Sequence, residues 1–144
     1  MTDRLAAYRD DGPFVRALAR RPRSDRRPRL AWAVPPLLRL LEYGVAAWLA
    51  FVAGGGAGPA VFTFLAVVAF HHYDVIYRLQ HRGAGPTPWV TLAGLGWEGR
   101  MIVVAVAAAF GVLAPVAWGL AAVLAPVFVV DSLRAWRGPA ADVS

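Results

Sequence analysis

The sequence predicts an all-α integral membrane protein, a bundle of four transmembrane helices, and three observations carry that prediction. Of the 144 residues 58% are hydrophobic and 17% charged, where a soluble domain carries about a quarter charged residues. The charges are also segregated: none occurs from Tyr43 to Tyr73 or from Met101 to Val130. Each of those runs exceeds the roughly 20 residues that cross a bilayer as a helix. A soluble chain this short could not bury two such runs in a core. Finally, each run is interrupted near its middle by glycine and proline, which divides two runs into four spans.

Residues 1–35 precede the first span and hold nine arginines against four aspartates. They are not a signal peptide, because no apolar stretch follows the arginines within the first 30 residues. Asp11-Gly12-Pro13 can start a short helix reaching about Arg21, with Phe14 and Leu18 on one face. Arg20, Arg21, Arg23, Arg26, Arg27 and Arg29, interrupted by Pro22 and Pro28, read as an extended basic tether. Beside a membrane such a cluster attracts anionic lipid headgroups, at roughly 1 kcal/mol per arginine near the surface. The same arginines also serve as a topology signal.

The membrane domain is expected over residues 36–137. Gly54-Gly55-Gly56-Ala57-Gly58-Pro59 is a strong turn signal and separates spans at about 37–53 and 60–79. A single helix over Met101–Val130 would be about 45 Å long, too long for a hydrocarbon layer of roughly 30 Å. Gly111 and Pro115 instead predict a hairpin with spans at about 97–114 and 116–136. A kinked third span, giving three in total, is the rival. The connection 80–96, with Gly83, Gly85, Pro86 and Pro88, reads as a mobile loop with Trp89-Val90 at the interface. Residues 138–144 read as a disordered tail.

Arginine placement sets the orientation. The N-terminal segment, the connection with Arg82 and the C-terminal end with Arg134 and Arg137 are basic, whereas neither intervening turn holds a charge. The positive-inside rule then puts both termini and the middle connection in the cytoplasm. Trp32, Trp89, Trp97 and Trp136 fall near the inner interface, where indole rings prefer to sit.

With that topology, the ionisable groups beside the spans gather at one end. Arg39 and Glu42 open span one; His71, His72, Asp74, Tyr77 and Arg78 close span two. Glu98 and Arg100 open span three; Asp131 and Arg134 close span four. The candidate polar site is therefore Glu42, His71, Asp74, Tyr77, Arg78, Glu98, Arg100, Asp131 and Arg134, since ionisable groups within spans mark functional sites by default. The competing reading is interfacial anchors and intrahelical ion pairs, Asp74 with Arg78 at i,i+4 and Asp131 with Arg134 at i,i+3. Glu42 precedes Asp74 by 32 residues and Glu98 precedes Asp131 by 33. That pairing points to two hairpins in parallel orientation, the result of a duplication or of chance.

Several functions are excluded or disfavoured. The chain has no cysteine, so disulfides, thiolate metal sites and cysteine nucleophiles are impossible. His71, His72 and His81 lie on one helix and its exit, which excludes bis-histidine haem within one chain; no metal site is expected. No carboxylate sits mid-span, as a proton-coupled exporter would need. Gly94-Leu95-Gly96-Trp97-Glu98-Gly99 spells GxGxxG, but it follows no strand and so does not imply a dinucleotide. A flexible connection allowing close helix packing is the plainer reading. No nucleic-acid partner is expected.

His71-His72-Tyr73-Asp74-Val75-Ile76-Tyr77-Arg78, followed by Trp97-Glu98-Gly99-Arg100, resembles an uncharacterised membrane domain of GC-rich actinobacteria. That domain is often found behind a CDP-alcohol phosphatidyltransferase-type domain. The resemblance covers roughly residues 29–136, and Ala6-Ala7-Tyr8-Arg9-Asp10-Asp11-Gly12-Pro13 is similar to the linker before it. It implies a link to phospholipid metabolism and no defined activity. The transferase signature D-G-x2-A-R-x8-G-x3-D-x3-D is absent: Asp11-Gly12 is followed by Pro13-Phe14-Val15-Arg16, and the later aspartates are missing. The expected function is a non-enzymatic membrane partner or localisation module for phospholipid or polyprenyl-phosphate metabolism. Its partners would be anionic lipid headgroups and a CDP-alcohol phosphatidyltransferase-type enzyme or a second copy, with no cofactor. The alternative is a membrane-embedded enzyme or binder of a phosphorylated lipid headgroup that uses the polar cluster. Only that alternative calls for magnesium.

Overall fold

The computed structural model describes residues 12, 33–83 and 85–138, and the regular elements among them are all helical. Helix α1 runs over Val34–Ala53, α2 over Ala57–His81, α3 over Pro88–Ala93, α4 over Gly96–Ala109 and α5 over Leu113–Arg137. Four units are long and apolar enough to cross a membrane, the third being α3 and α4 together, Pro88–Ala109. The four-span bundle expected from the charge-free runs is the observed architecture, and the three-span alternative falls.

Several boundaries differ from expectation, and proline position explains most of the shifts. Pro35, Pro59 and Pro115 all lie in the first turns of their helices, where an N–H has no intrahelical acceptor and proline is tolerated. Pro115 therefore belongs to α5, and the second turn contracts to residues 110–112 around Gly111, whose φ is +69°. The third span ends at Ala109 instead of residue 114. The connection expected as a loop over 80–96 instead contains α3, started by Pro88 after Thr87 in extended backbone. Val90 on α3 is fully buried and packs in the core, while Trp89 beside it is exposed.

The core is a seam between α2 and α5, the most extensively packed pair. On α2 the buried residues Ala57, Val61, Phe64, Val68, His71, Val75 and Arg78 recur at alternating steps of four and three. On α5, Leu113, Ala117, Ala121, Leu124, Phe128 and Asp131 do nearly the same, the pattern that keeps two helices in register. The His71 ring stacks on Phe128 with centroids 3.9 Å apart, and Arg78 reaches Asp131 three residues further along. Both helices thus advance together, and the pair is parallel. Helix α1 packs on α2 and α4, and α4 closes the ring against α5. The outer surface carries Leu37, Leu40, Phe51, Phe62, Phe110 and Val123, all more than half exposed. So much exposed apolar surface on four spans is the exterior of a membrane helical bundle.

Candidate functional site

The end of the bundle that holds the N-terminus of α1, the C-terminus of α5 and the α2–α3 connection is polar inside. Glu42, His71, His72, Asp74, Arg78, Glu98, Arg100 and Asp131 are all buried there. Apart from His71, whose ring stacks on Phe128, they form three nests.

The first nest joins α1, α2 and α4 through Arg100, which is 1% exposed. Its Nε donates to Glu42 Oε1 at 2.7 Å, and its Nη1 donates to the carbonyl of Gly94 at 3.0 Å. Arg39 holds the other Glu42 oxygen, with Nη1 at 3.0 Å from Oε2. The His72 ring links the same nest, its Nδ1 2.8 Å from the Tyr43 hydroxyl and its Nε2 3.4 Å from Arg100 Nη2. The Gly94 carbonyl lies at the gap between α3 and α4, where the helical ladder is interrupted; Arg100 satisfies it. A carbonyl left bare there would carry the full desolvation penalty of a buried polar group.

The second nest joins α2, α5 and the approach to α3. Arg78 Nη2 donates to Asp131 Oδ2 at 2.8 Å. Arg78 Nε lies 2.8 Å from Asp74 Oδ2, out of line for a hydrogen bond, so that contact is ionic. Each aspartate has a neutral donor on its other oxygen. Thr87 Oγ1 donates to Asp131 Oδ1 at 2.8 Å; Ser132 Oγ and Trp136 Nε1 donate to Asp74 Oδ1 at 2.8 and 3.0 Å. The expected pairing of Asp74 with Arg78 is present. The expected Asp131–Arg134 pair is not: Asp131 faces α2 and takes Arg78, while Arg134 is exposed. One turn of helix permits an i,i+3 pair, but burial of Asp131 in the α2–α5 seam turns it away from the exposed face.

In the third nest Glu98, 8% exposed, accepts the backbone N–H of Gly12 on Oε2 at 3.0 Å. Besides His71, two expected site residues stand outside these nests. Tyr77 is 41% exposed; it stacks on Tyr73 and His81 and meets Trp136 at a tilt. Arg134 is exposed. Arg82 caps the end of α5 by donating to the carbonyls of Ala135 and Gly138 at 2.7 and 2.8 Å, and it lies over the Trp136 ring. The basic tether from Arg20 to Arg29 lies outside the described residues, as does the tail after Gly138.

Residue-type reasoning at the helix ends missed Tyr43, Thr87, Ser132, Trp136 and Gly12. Tyr43 and Ser132 are neighbours in sequence of Glu42 and Asp131, and that adjacency was the available signal. Nothing in the local sequence places Thr87 or Gly12. Chemically, three arginines (Arg39, Arg78 and Arg100) face four carboxylates, and each carboxylate already has a donor. Among the described residues no group of three histidines or acids is arranged to hold a metal ion.

No curated protein and no solved structure is significantly similar to this chain. A protein-family comparison does find a match. It covers residues 14–143, the whole membrane domain with most of its approach and tail, and the chain belongs to that family, described as a family of unknown function (DUF5941).

Proposed function

We propose that this protein is a non-enzymatic membrane module that docks or localises an enzyme acting on phospholipids or polyprenyl phosphates. The observation that carries the reading is the occupancy of the polar end. Glu42, Asp74, Glu98 and Asp131 are each bound by an arginine, a hydroxyl, an indole or a backbone amide, so they serve to lock the helices together. Carboxylates set to bind magnesium and a transferring phosphate would instead face one another across open space. The link to lipid metabolism rests on the resemblance of the His71–Arg78 and Trp97–Arg100 segments and on the basic tether. The arginine distribution supports both termini in the cytoplasm, and the resemblance supports a bacterial plasma membrane. Affinity purification from native membranes, with proteins and lipids identified by mass spectrometry, tests the reading. Stoichiometric recovery of a lipid-phosphate enzyme is expected; recovery of the chain with bulk lipid alone would overturn it.

One observation favours the second reading, a binder of a phosphorylated headgroup. Arg78 is 1% exposed, and its Nη1 has no hydrogen-bond partner among the described residues. A phosphate oxygen would satisfy that donor. Melting curves with and without magnesium and CDP-linked or polyprenyl-phosphate lipids separate the two readings. A ligand-dependent rise in Tm that vanishes in Asp74→Asn would favour the binder.

A further inference from the structure

The third span is broken where the other three are continuous. Helix α3 ends at Ala93, α4 begins at Gly96, and Leu95 between them has φ +61°, the only positive φ outside glycine among the described residues. A non-glycine residue held there is strained, and such strain persists only where the surroundings impose it. Breaks in membrane helices are tolerated where their backbone is buried in protein or lines a binding cavity. Here the surroundings include a residue from far away in the sequence, Gly12.

We propose that the broken third span is a docking site that reads the backbone at a glycine, filled in cis by Gly12, and that it latches the N-terminal segment to the membrane bundle. Glu98 occupies the third position of α4, from which a glutamate commonly turns back to the N–H of its own helix cap. Here the Leu95 N–H donates to the Leu92 carbonyl, and Glu98 gives an oxygen to Gly12 across 86 positions. The fit admits no side chain. A Cβ on Gly12 would lie 2.5 Å from both the Leu95 carbonyl oxygen and Glu98 Oε1. A Cβ on Gly96 would strike the Cα and nitrogen of Gly12. The latch goes beyond the localisation reading and does not need it, since a bundle that recruits no enzyme can still hold its own segment.

The test is limited trypsin digestion of the full chain in nanodiscs of phosphatidylcholine and phosphatidylglycerol, followed by intact mass. Wild type, Gly12→Ala, Glu98→Gln and Gly44→Ala are compared, Gly44 having open space around it. Cleavage after Arg9 or Arg16 should be at least about tenfold faster in Gly12→Ala and Glu98→Gln, as expected for losing a hydrogen bond to a charged acceptor. Gly44→Ala should match wild type. Gly12 lies outside the five helices, so the helix content of Gly12→Ala should be unchanged by circular dichroism, and Glu98→Gln supplies an isosteric second variant. Equal cleavage rates in all four proteins would overturn the latch. A wild-type dimer that Gly12→Ala converts to monomer would overturn the cis assignment and seat the glycine of a second copy in the slot.

Discussion

Arg78 sits between two aspartates, so the Asp74–Arg78–Asp131 set carries one excess negative charge, and that count decides what each substitution does. Removing the arginine leaves two carboxylates buried without a cation. Arg78→Gln should cost about 3–5 kcal/mol, the range for breaking a buried pair. Asp74→Asn leaves a balanced Arg78–Asp131 pair, and the asparagine oxygen can still accept from Ser132 and Trp136; about 1–2 kcal/mol is expected. Thermal melts of the two variants in one detergent check the order, and a larger loss for Asp74→Asn would contradict this charge count. At this scale the sequence was partly legible. The Asp74–Arg78 pair could be read from i,i+4 spacing. The partner of Asp131 could not, because helix spacing says which residues share a face and not which neighbouring helix that face meets.

The elements differ in how much room they leave their glycines, which gives opposite signs to one kind of substitution. Gly44 in α1 and Gly119 in α5 have nothing near the position a Cβ would take. Alanine is the better helix former by about 0.8–1.0 kcal/mol, so Gly44→Ala and Gly119→Ala should each stabilise by up to that amount. At Gly99 in α4 a Cβ would lie 2.7 Å from the Cβ of Leu95. Leu95 is fixed by the break before α4, and overpacking costs about 1–3 kcal/mol, which exceeds the propensity gain. Gly99→Ala should therefore lower the Tm where the other two raise it; a rise at all three positions would show that Leu95 yields. The GxGxxG spelling at residues 94–99 is thus explained by packing: Gly96 admits Gly12, and Gly99 admits Leu95.

For the whole molecule, four spans place both termini and the α2–α3 connection on one side, with the turns at residues 54–56 and 110–112 on the other. The absence of cysteine makes this directly testable in cells. Single cysteines at Gly55 and Gly111 should react with a membrane-impermeant maleimide added outside, and cysteines at Gly85 and Gly138 should react only after permeabilisation. Labelling of Gly55 and Gly138 from the same side would break the four-span topology. Reporter fusions at the two ends should likewise both be active in the cytoplasm, as the arginine distribution requires.

Hydropathy and charge placement were enough to predict four membrane crossings with the ionisable groups beside the spans at one end. Both follow from the energetics of each segment alone: charges are expelled from hydrocarbon, and a helix longer than the layer must turn. Three outcomes came from packing instead: which helices pair, the sharing of Arg78 by two aspartates from parallel helices, and the break of the third span against Gly12. Those outcomes depend on groups brought together from positions 53 and 86 residues apart. A polar group inside the bundle takes whichever partner the packing of apolar faces delivers to it, and local periodicity does not encode that choice.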